Sequence, residues 1–267
     1  MIIIGEKINS TLKAVGPAVE AYDTAVIADL AKSQYEAGAT YIDINAGIFV
    51  EDEPERLAWL AKTVQEAVDN VPLAIDSPSA KAIRAALEVN KNPDVMINSI
   101  TDEPDRFKEI VPLVVEFKTS VVALCMDETG MPETTEDRVN IARSLITKLE
   151  KEGVAHEKIF IDPLVRPIST GTHYGNVAIE TIREVKKAFP NVHIACGLSN
   201  VSFQLPARKL INQAFLVAAI GAGMDGAIIN PMDQKLMAML YASLALFDRD
   251  ANCRNYLKKF RAGLLEV

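Results

Sequence analysis

Cysteine is scarce in this chain of 267 residues: Cys125, Cys196 and Cys253 stand far apart, an odd number with no Cys-x-x-Cys pair. That spacing gives no disulfide framework and no thiolate zinc cluster. Cys125 and Cys196 lie inside apolar runs, where a thiol is buried and inert. The three histidines, His156, His173 and His193, share no metal-ligand spacing, so no bound metal is expected. No long hydrophobic run exists either. The longest uncharged apolar segment, Ala214 to Met224, is interrupted by Gly221 and Gly223. It falls short of the roughly 18–20 residues of a membrane span. The opening Met1-Ile2-Ile3-Ile4-Gly5-Glu6-Lys7 meets an acid too early for a secretory signal, so a cytoplasmic protein is expected. Positive charge is also short: 28 Lys and Arg stand against 36 Asp and Glu, a net −8. This argues against nucleic acid or an anionic membrane as partner. Finally, no Gly-x-Gly-x-x-Gly follows any strand-like run.

What the chain does have is a repeating arrangement. Strand-like runs recur near 2–4, 41–44, 73–76, 95–98, 120–125, 158–161, 192–196 and 225–229. Helical patterns fill the intervals. Glu53 to Val68 puts Leu57, Leu60, Ala61, Val64, Ala67 and Val68 on one face. Asp52 is placed to cap that helix, and Pro54 suits its first turn. Asp102-Glu103-Pro104 opens another, and Thr134-Thr135-Glu136-Asp137 a third running to Lys151, with Gly153 as its stop. Gly221 and Gly223 are expected to stop the helix before the last strand. Eight strands alternating with helices in about 250 residues predict a closed (β/α)8 TIM barrel, an α/β fold with a parallel sheet. An open doubly wound sheet is the alternative. One domain is expected over residues 1–267, with Asp248 to Val267 as a C-terminal extension carrying a helix over 255–265.

The strands end in short polar residues: Tyr41-Ile42-Asp43-Ile44-Asn45, Leu73-Ala74-Ile75-Asp76, Val95-Met96-Ile97-Asn98, Ile159-Phe160-Ile161-Asp162. Two more runs stop at Cys196-Gly197-Leu198-Ser199-Asn200 and Ile228-Ile229-Asn230. Carboxylates and amides are poor strand formers. In a parallel barrel these ends meet at one mouth, where chemistry is carried. The ring would comprise Asp43, Asn45, Asp76, Asn98, Asp127, Asp162, Asn200 and Asn230. A turn or helix cap accounts for any one of them; so many at one topological position do not reduce to caps. The ring is poor in Lys and His, with Lys7 the only lysine near a strand end, which disfavours Schiff-base chemistry. No glycine-rich phosphate cradle follows the last two strands. A flat, neutral ligand with donor and acceptor edges fits. A carboxylate can accept two parallel N–H bonds, as it does from guanidinium, and a pterin offers such an edge.

These residues carry a resemblance. Ile4-Gly5-Glu6-Lys7-Ile8-Asn9, Asp43-Ile44-Asn45-Ala46-Gly47, Asp76-Ser77, Met96-Ile97-Asn98-Ser99, Ile161-Asp162-Pro163-Leu164, Gly197-Leu198-Ser199-Asn200-Val201-Ser202, Arg208 and Leu210-Ile211-Asn212 stand in order. Together they resemble the motifs of the pterin-binding methyltetrahydrofolate:corrinoid (iron–sulfur) protein methyltransferases and of the folate domain of cobalamin-dependent methionine synthase. Lys7 departs from that pattern, where Arg is expected, and Ser169 to Asn176 follows no motif. The resemblance implies methyl transfer between N5 of tetrahydrofolate and the cobalt of a corrinoid, in a direction left open. Asp76, Asn98 and Asp162 would bind the pterin, with Asp162 on its amino-pyrimidine edge; Asp43, Asn45, Ser199 and Arg208 join that set. Asn200 would hydrogen-bond near N5 as the catalytic residue. No Asp-x-His-x-x-Gly corrinoid motif occurs, so the cobalamin is expected on a separate corrinoid protein. A homodimer is implied by resemblance alone. A dihydropteroate synthase-like enzyme and a non-catalytic pterin-binding scaffold are the other readings.

Overall fold

The computed structural model describes residues 1–265. The chain runs β1 (Ile2–Asn9), α1 (Gly16–Glu20), α2 (Thr24–Glu36), β2 (Tyr41–Asn45), α3 (Glu53–Ala67), β3 (Leu73–Asp76), α4 (Ala80–Val89), β4 (Met96–Ile100), α5 (Pro104–Phe117), β5 (Ser120–Leu124), α6 (Thr135–Lys151), β6 (Ile159–Asp162), α7 (Tyr174–Ala188), β7 (His193–Gly197), α8 (Arg208–Ala222), β8 (Gly226–Ile229), α9 (Gln234–Leu246) and α10 (Arg254–Arg261). Each strand is parallel to the next, and β8 pairs back onto β1, closing an eight-stranded barrel. This is the expected TIM barrel; the open sheet is excluded by the β1–β8 register Ile2↔Gly226 to Gly5↔Ile229.

Successive strand residues face opposite sides of a sheet, so every second residue points inward. Ile4, Tyr41, Ala74, Met96, Val122, Phe160 and Ala195 fill the barrel interior, with Ile2 and Ile228 beside them. The alternate residues, such as Ile42, Ile44, Leu73, Ile75, Ile97, Val121 and Ile161, pack outward against the helices. Most strands are therefore apolar on both faces until their last inward position.

The longest departure from expectation is β1, which continues to Asn9 rather than ending at Ile4. Its register on β2 slips between Gly5 and Ile8, a bulge. The fully buried Gln34 of α2 accepts the Lys7 N–H there at 2.9 Å. Its Oε1 lies 2.6 Å from where a Cβ on Gly5 would sit, so a larger residue there would have to displace the Gln34 amide. Asp52 does not cap α3; its carboxylate instead lies 3.5 Å from Arg56. Thr134 does cap α6, accepting the Asp137 N–H at 3.1 Å. Gly221 is inside α8, where the Phe247 ring comes to 2.8 Å of its missing Cβ; Gly223, at φ +116°, ends that helix. The C-terminal helix is shorter than expected, and residues 266–267 of the expected extension lie outside the described residues.

Gln34→Leu should lower the unfolding free energy by about 1–3 kcal/mol, because the half-buried Lys7 N–H loses its acceptor. Urea denaturation of the variant checks this; unchanged stability would mean the bulge does not depend on Gln34.

Candidate functional site

The last inward positions of six strands are polar. On β1 this is Glu6, two residues beyond the inward Ile4. On β2 they are Asp43 and Asn45, 3% and 9% exposed. Asp76, Asn98 and Asp162 end the inward rows of β3, β4 and β6, and Asn230 follows β8. Cross-strand bonds join them. Asn98 Nδ2 donates to Asp43 Oδ1 at 3.0 Å, and Asn45 Nδ2 to Asp76 Oδ2 at 3.0 Å. Asn45 Oδ1 accepts from Ser10 Oγ at 3.1 Å and from the Gly47 N–H at 3.0 Å. Asp162 Oδ1 accepts the Leu164 N–H at 2.7 Å.

This is a ring of buried acid on an apolar floor. Burial, then the neighbouring Asp76, pushes the Asp43 carboxyl well above the ordinary carboxylate range. Burial lifts Asp76 to about 6, with the Asn45 hydrogen bond opposing. Burial lifts Asp162 to about 7, opposed by the backbone N–H groups of Leu164 and Gly197. Glu6 is raised by burial too, and Lys7 and Arg208 pull it back. Acids tuned near neutrality at the end of a barrel mark a functional site.

Asn200 lies in the 3-10 turn Leu198–Ser202 after β7. Its Nδ2 is 3.2 Å from the position a Cβ on Gly197 would take. The amide therefore folds over the inner face of β7, towards the barrel axis, while Asn200 itself stays exposed. Ser199 gives its backbone carbonyl to Arg208 Nη2 at 2.7 Å, and Arg208 Nε donates to Ser202 Oγ at 3.0 Å. Arg208 thus braces the turn that carries Asn200.

Local i to i+2 turn bonds are made by Asp162 and Asn45, and Asp127 and Asn230 make side-chain hydrogen bonds only of that kind. Asp127 accepts from its own Thr129 N–H and Oγ1, at 2.9 and 2.6 Å. Asn230 Oδ1 accepts the Met232 N–H at 3.1 Å. Glu6 was missed, although the period of two from Ile2 and Ile4 points to it. So was Glu53, 3% exposed, whose Oε1 accepts from Ser77 Oγ at 2.6 Å directly behind Asp76. Its place inside a helix stripe gave no signal. Cys125 and Cys196 are fully buried, as expected, and burial raises both thiols. Among the described residues no group of three or more His, Cys, Asp or Glu is placed to hold a metal ion.

A closed barrel with a ring of amides and near-neutral carboxylates at its mouth has the make-up of a small-molecule enzyme site. The sequence pattern of the pterin binding enzymes matches residues 8–230, and the chain belongs to that family. Within the family its kinship is with methyltransferases. It is 40% identical to the methylcorrinoid:tetrahydrofolate methyltransferase of Eubacterium limosum, across 98% of this chain and 97% of that protein. It is 34% identical over 243 residues to methionine synthase of Mycobacterium tuberculosis, spanning 86% of this chain and 20% of that longer protein. The structure of 7,8-dihydropteroate synthase from Vibrio fischeri superposes with a TM-score of 0.71, covering 93% of each chain at 16% identity, a likeness of fold alone.

The ring costs stability. Asp162 holds a proton in the folded state up to about 7, whereas an unfolded Asp loses it near 4. Between those values the folded form binds more protons, so stability falls as pH rises through the window and stays low above it. Asp162→Asn should therefore stabilise the protein at pH 8, by about 2–4 kcal/mol, and scarcely at all at pH 4. Denaturation at both pH values tests this; equal effects would contradict an acid kept protonated by burial.

Proposed function

We propose that the protein, as one pterin-binding domain, transfers a methyl group between N5 of tetrahydrofolate and the cobalt of a corrinoid carried on a separate protein. The observation that carries this reading is the inward-row ends Asp76, Asn98 and Asp162 on an apolar floor, with Asn200 in the turn after β7, in a chain with methyltransferase kin. The name of the Eubacterium limosum relative puts the methyl on the corrinoid at the start, and we read the same direction here.

Asp162 accepts the pterin's ring N–H and exocyclic amine as a bidentate pair. Asp76 and Asn98 fill out the hydrogen-bonding edge, held by Asn45 and Asp43. The corrinoid, as co-substrate, supplies or takes the methyl group over the mouth. N5 of tetrahydrofolate must present its lone pair to that carbon and then lose its proton. The Asn200 carbonyl can accept the N5 hydrogen and so aim the lone pair outward. In the opposite direction its NH2 can donate to N5 as negative charge builds there. An amide holds no proton to give, so the proton itself passes to or from water.

A dihydropteroate synthase needs basic groups for a pyrophosphate leaving group. Here the loop after β8 ends in Asp233, which caps α9 through the Leu236 N–H at 3.2 Å and takes the ammonium of Lys209 at 3.3 Å. That neutralises a basic group where one would be wanted. A non-catalytic scaffold would bind pterin without turnover by the purified protein. A homodimer and a cytoplasmic location belong to the proposal. Among the described residues no helix is long and apolar enough to cross a membrane.

The partner would dock on the loops around the mouth. Ser169 Oγ donates to the Phe203 carbonyl at 2.8 Å and the Ile168 N–H to Val201 O at 3.0 Å, so the loops after β6 and β7 form one surface. The final part of Ser169 to Asn176 is the first turn of α7 rather than loop. Ile48, Val50, Met131, Phe203 and Leu210, all in or next to loops that follow strands, are exposed.

Asp162→Ala should weaken tetrahydrofolate binding by tens- to several-hundred-fold, about 2–4 kcal/mol. In the wild type, affinity should fall as pH drops through about 7, because the protonated acid accepts poorly. Calorimetry from pH 6 to 8.5 tests both; a folded variant binding like wild type would remove Asp162 from the site. Asn200→Ala should lower the rate at saturating substrates on the order of 10²–10³-fold, with a smaller change in binding. A wild-type kcat would make Asn200 structural. Substitutions at Ser169 or Phe203 should raise KM for the corrinoid protein and leave KM for free methylcobalamin unchanged. Equal responses would place the docking surface elsewhere.

A further inference from the structure

Three arginines sit in the first turns of helices that follow strands: Arg56 in α3, Arg106 in α5 and Arg138 in α6. Each directs guanidinium N–H groups at backbone carbonyls of the mouth loops. Arg56, sandwiched 4.6 and 4.3 Å from the Tyr22 and Phe49 rings, donates to the carbonyls of Val19 and Glu20 at 2.7 and 3.0 Å, outside the ring. The other two reach the residues that come directly after ring members.

Arg106 donates to the Ser99 carbonyl from Nε at 3.2 Å and from Nη2 at 2.6 Å. Its Nη2 also reaches Ser77 O at 2.8 Å, and its Nη1 reaches Pro78 O. Ser77 follows Asp76 and Ser99 follows Asn98, so one side chain ties together the loops behind two ring residues. Arg138 is 0% exposed. Its Nη1 donates to Pro163 O and Leu164 O, both at 2.9 Å, and its Nε and Nη2 to Pro132 O at 3.4 and 3.3 Å. Leu164 is the residue whose N–H returns to Asp162, and it holds φ +57°, a left-handed conformation unfavourable to leucine. The Arg138 clamp holds that backbone in place.

Among the described residues, every hydrogen bond of these two guanidinium groups goes to a carbonyl oxygen. Tying loops needs donors but not charge, and burying a cation costs several kcal/mol unless an anion compensates it. Arg106 is faced by Glu109 first, then by Asp76, Glu103 and Glu53; Arg138 is faced by Cys125 and Asp162, with Arg166 opposing and Tyr174 nearby. Asp162 is faced by Arg138 from α6, by the thiols of Cys125 and Cys196 from beside β5 and from β7, and by the Leu164 and Gly197 amides. Asp76 is faced by Asp43 and Asn45 of β2, Glu53 of α3 and Arg106 of α5.

We propose that Arg106 and Arg138 are positioning residues of the pterin site, each fixing the loop behind ring carboxylates and setting behind those carboxylates a positive charge not bound in an ion pair. The inference rests on the pterin reading only for the ligand named below; the effect on the carboxylates stands without it.

The test combines two measurements. Carboxyl 13C NMR of ligand-free protein labelled at aspartate follows the titration of Asp162 and Asp76, assigned with D162N and D76N. Tetrahydrofolate binding is then measured from pH 5.5 to 8.5. R138Q should move the Asp162 midpoint up by about 0.5–1 pH unit and R106Q should do the same for Asp76. Each should weaken tetrahydrofolate binding about tenfold at pH 7. R138K keeps the charge but cannot span three carbonyls, so its Asp162 midpoint should stay near wild type while binding weakens. Unmoved midpoints in R106Q and R138Q would overturn the electrostatic role. If R138Q does not fold, R106Q and R138K decide: an R138K protein that binds as wild type refutes the clamp, and an R106Q protein with an unmoved Asp76 midpoint refutes the charge effect. Wild-type protein that fails to bind tetrahydrofolate would count against the proposed function instead, leaving the midpoints to judge the arginines.

Discussion

Burying carboxylates without an ion pair is the constraint on which the site depends. Asp43, Asp76 and Asp162 sit at the top of an apolar barrel, and burial is the largest influence on each. Such groups persist only where the surrounding structure holds them. The rest of the mouth serves that end. Amide side chains bridge strand to strand, a backbone N–H meets Asp162, Glu53 and Ser77 stand behind Asp76, and two guanidinium groups fix the loops beneath. The unfavourable energy stored there is also what makes the ring receptive, because a ligand bringing N–H donors relieves it.

The barrel makes this arrangement available through parity. A strand in a closed sheet has one inward row, and that row runs apolar through the interior before ending in a polar residue at the mouth. Tyr41–Asp43–Asn45 on β2 and Phe160–Asp162 on β6 show the change within one or two positions. Register then brings the polar ends level: Asn45 pairs with Asp76, and Asp76 with Asn98. Geometry of the fold, rather than any local motif, assembles the ring.

That is why much of the site was legible in the sequence. Strands ending in Asp or Asn could be read from the order of residues, and eight apolar strand-like runs with helices between them predict the barrel. Local hydrogen bonding was less legible. Asp127 and Asn230 look like Asp43 and Asn98 in sequence, yet their side chains turn back on their own loops, where short polar residues compete for backbone N–H groups. Glu6 escaped because the first strand was expected to end at Ile4, whereas β1 continues to Asn9 and the period of two puts Glu6 on its inward row. Arg106 and Arg138 were invisible because their partners are carbonyls, which every residue owns, and no pattern of side chains announces them.

The apolar packing below the ring has a kinetic consequence. Ile4, Ala74, Met96 and Val122 are fully buried and Phe160 nearly so, which leaves no passage through the barrel. Under the proposed function, folate and corrinoid protein must then use a single opening. In the proposed reaction the folate enters before the partner covers the mouth and departs only after the partner lifts away. Turnover cannot outpace the lifetime of that encounter. Selection for a faster enzyme would therefore act on how quickly the partner is released, and the mouth loops, not the pterin ring, would set the ceiling.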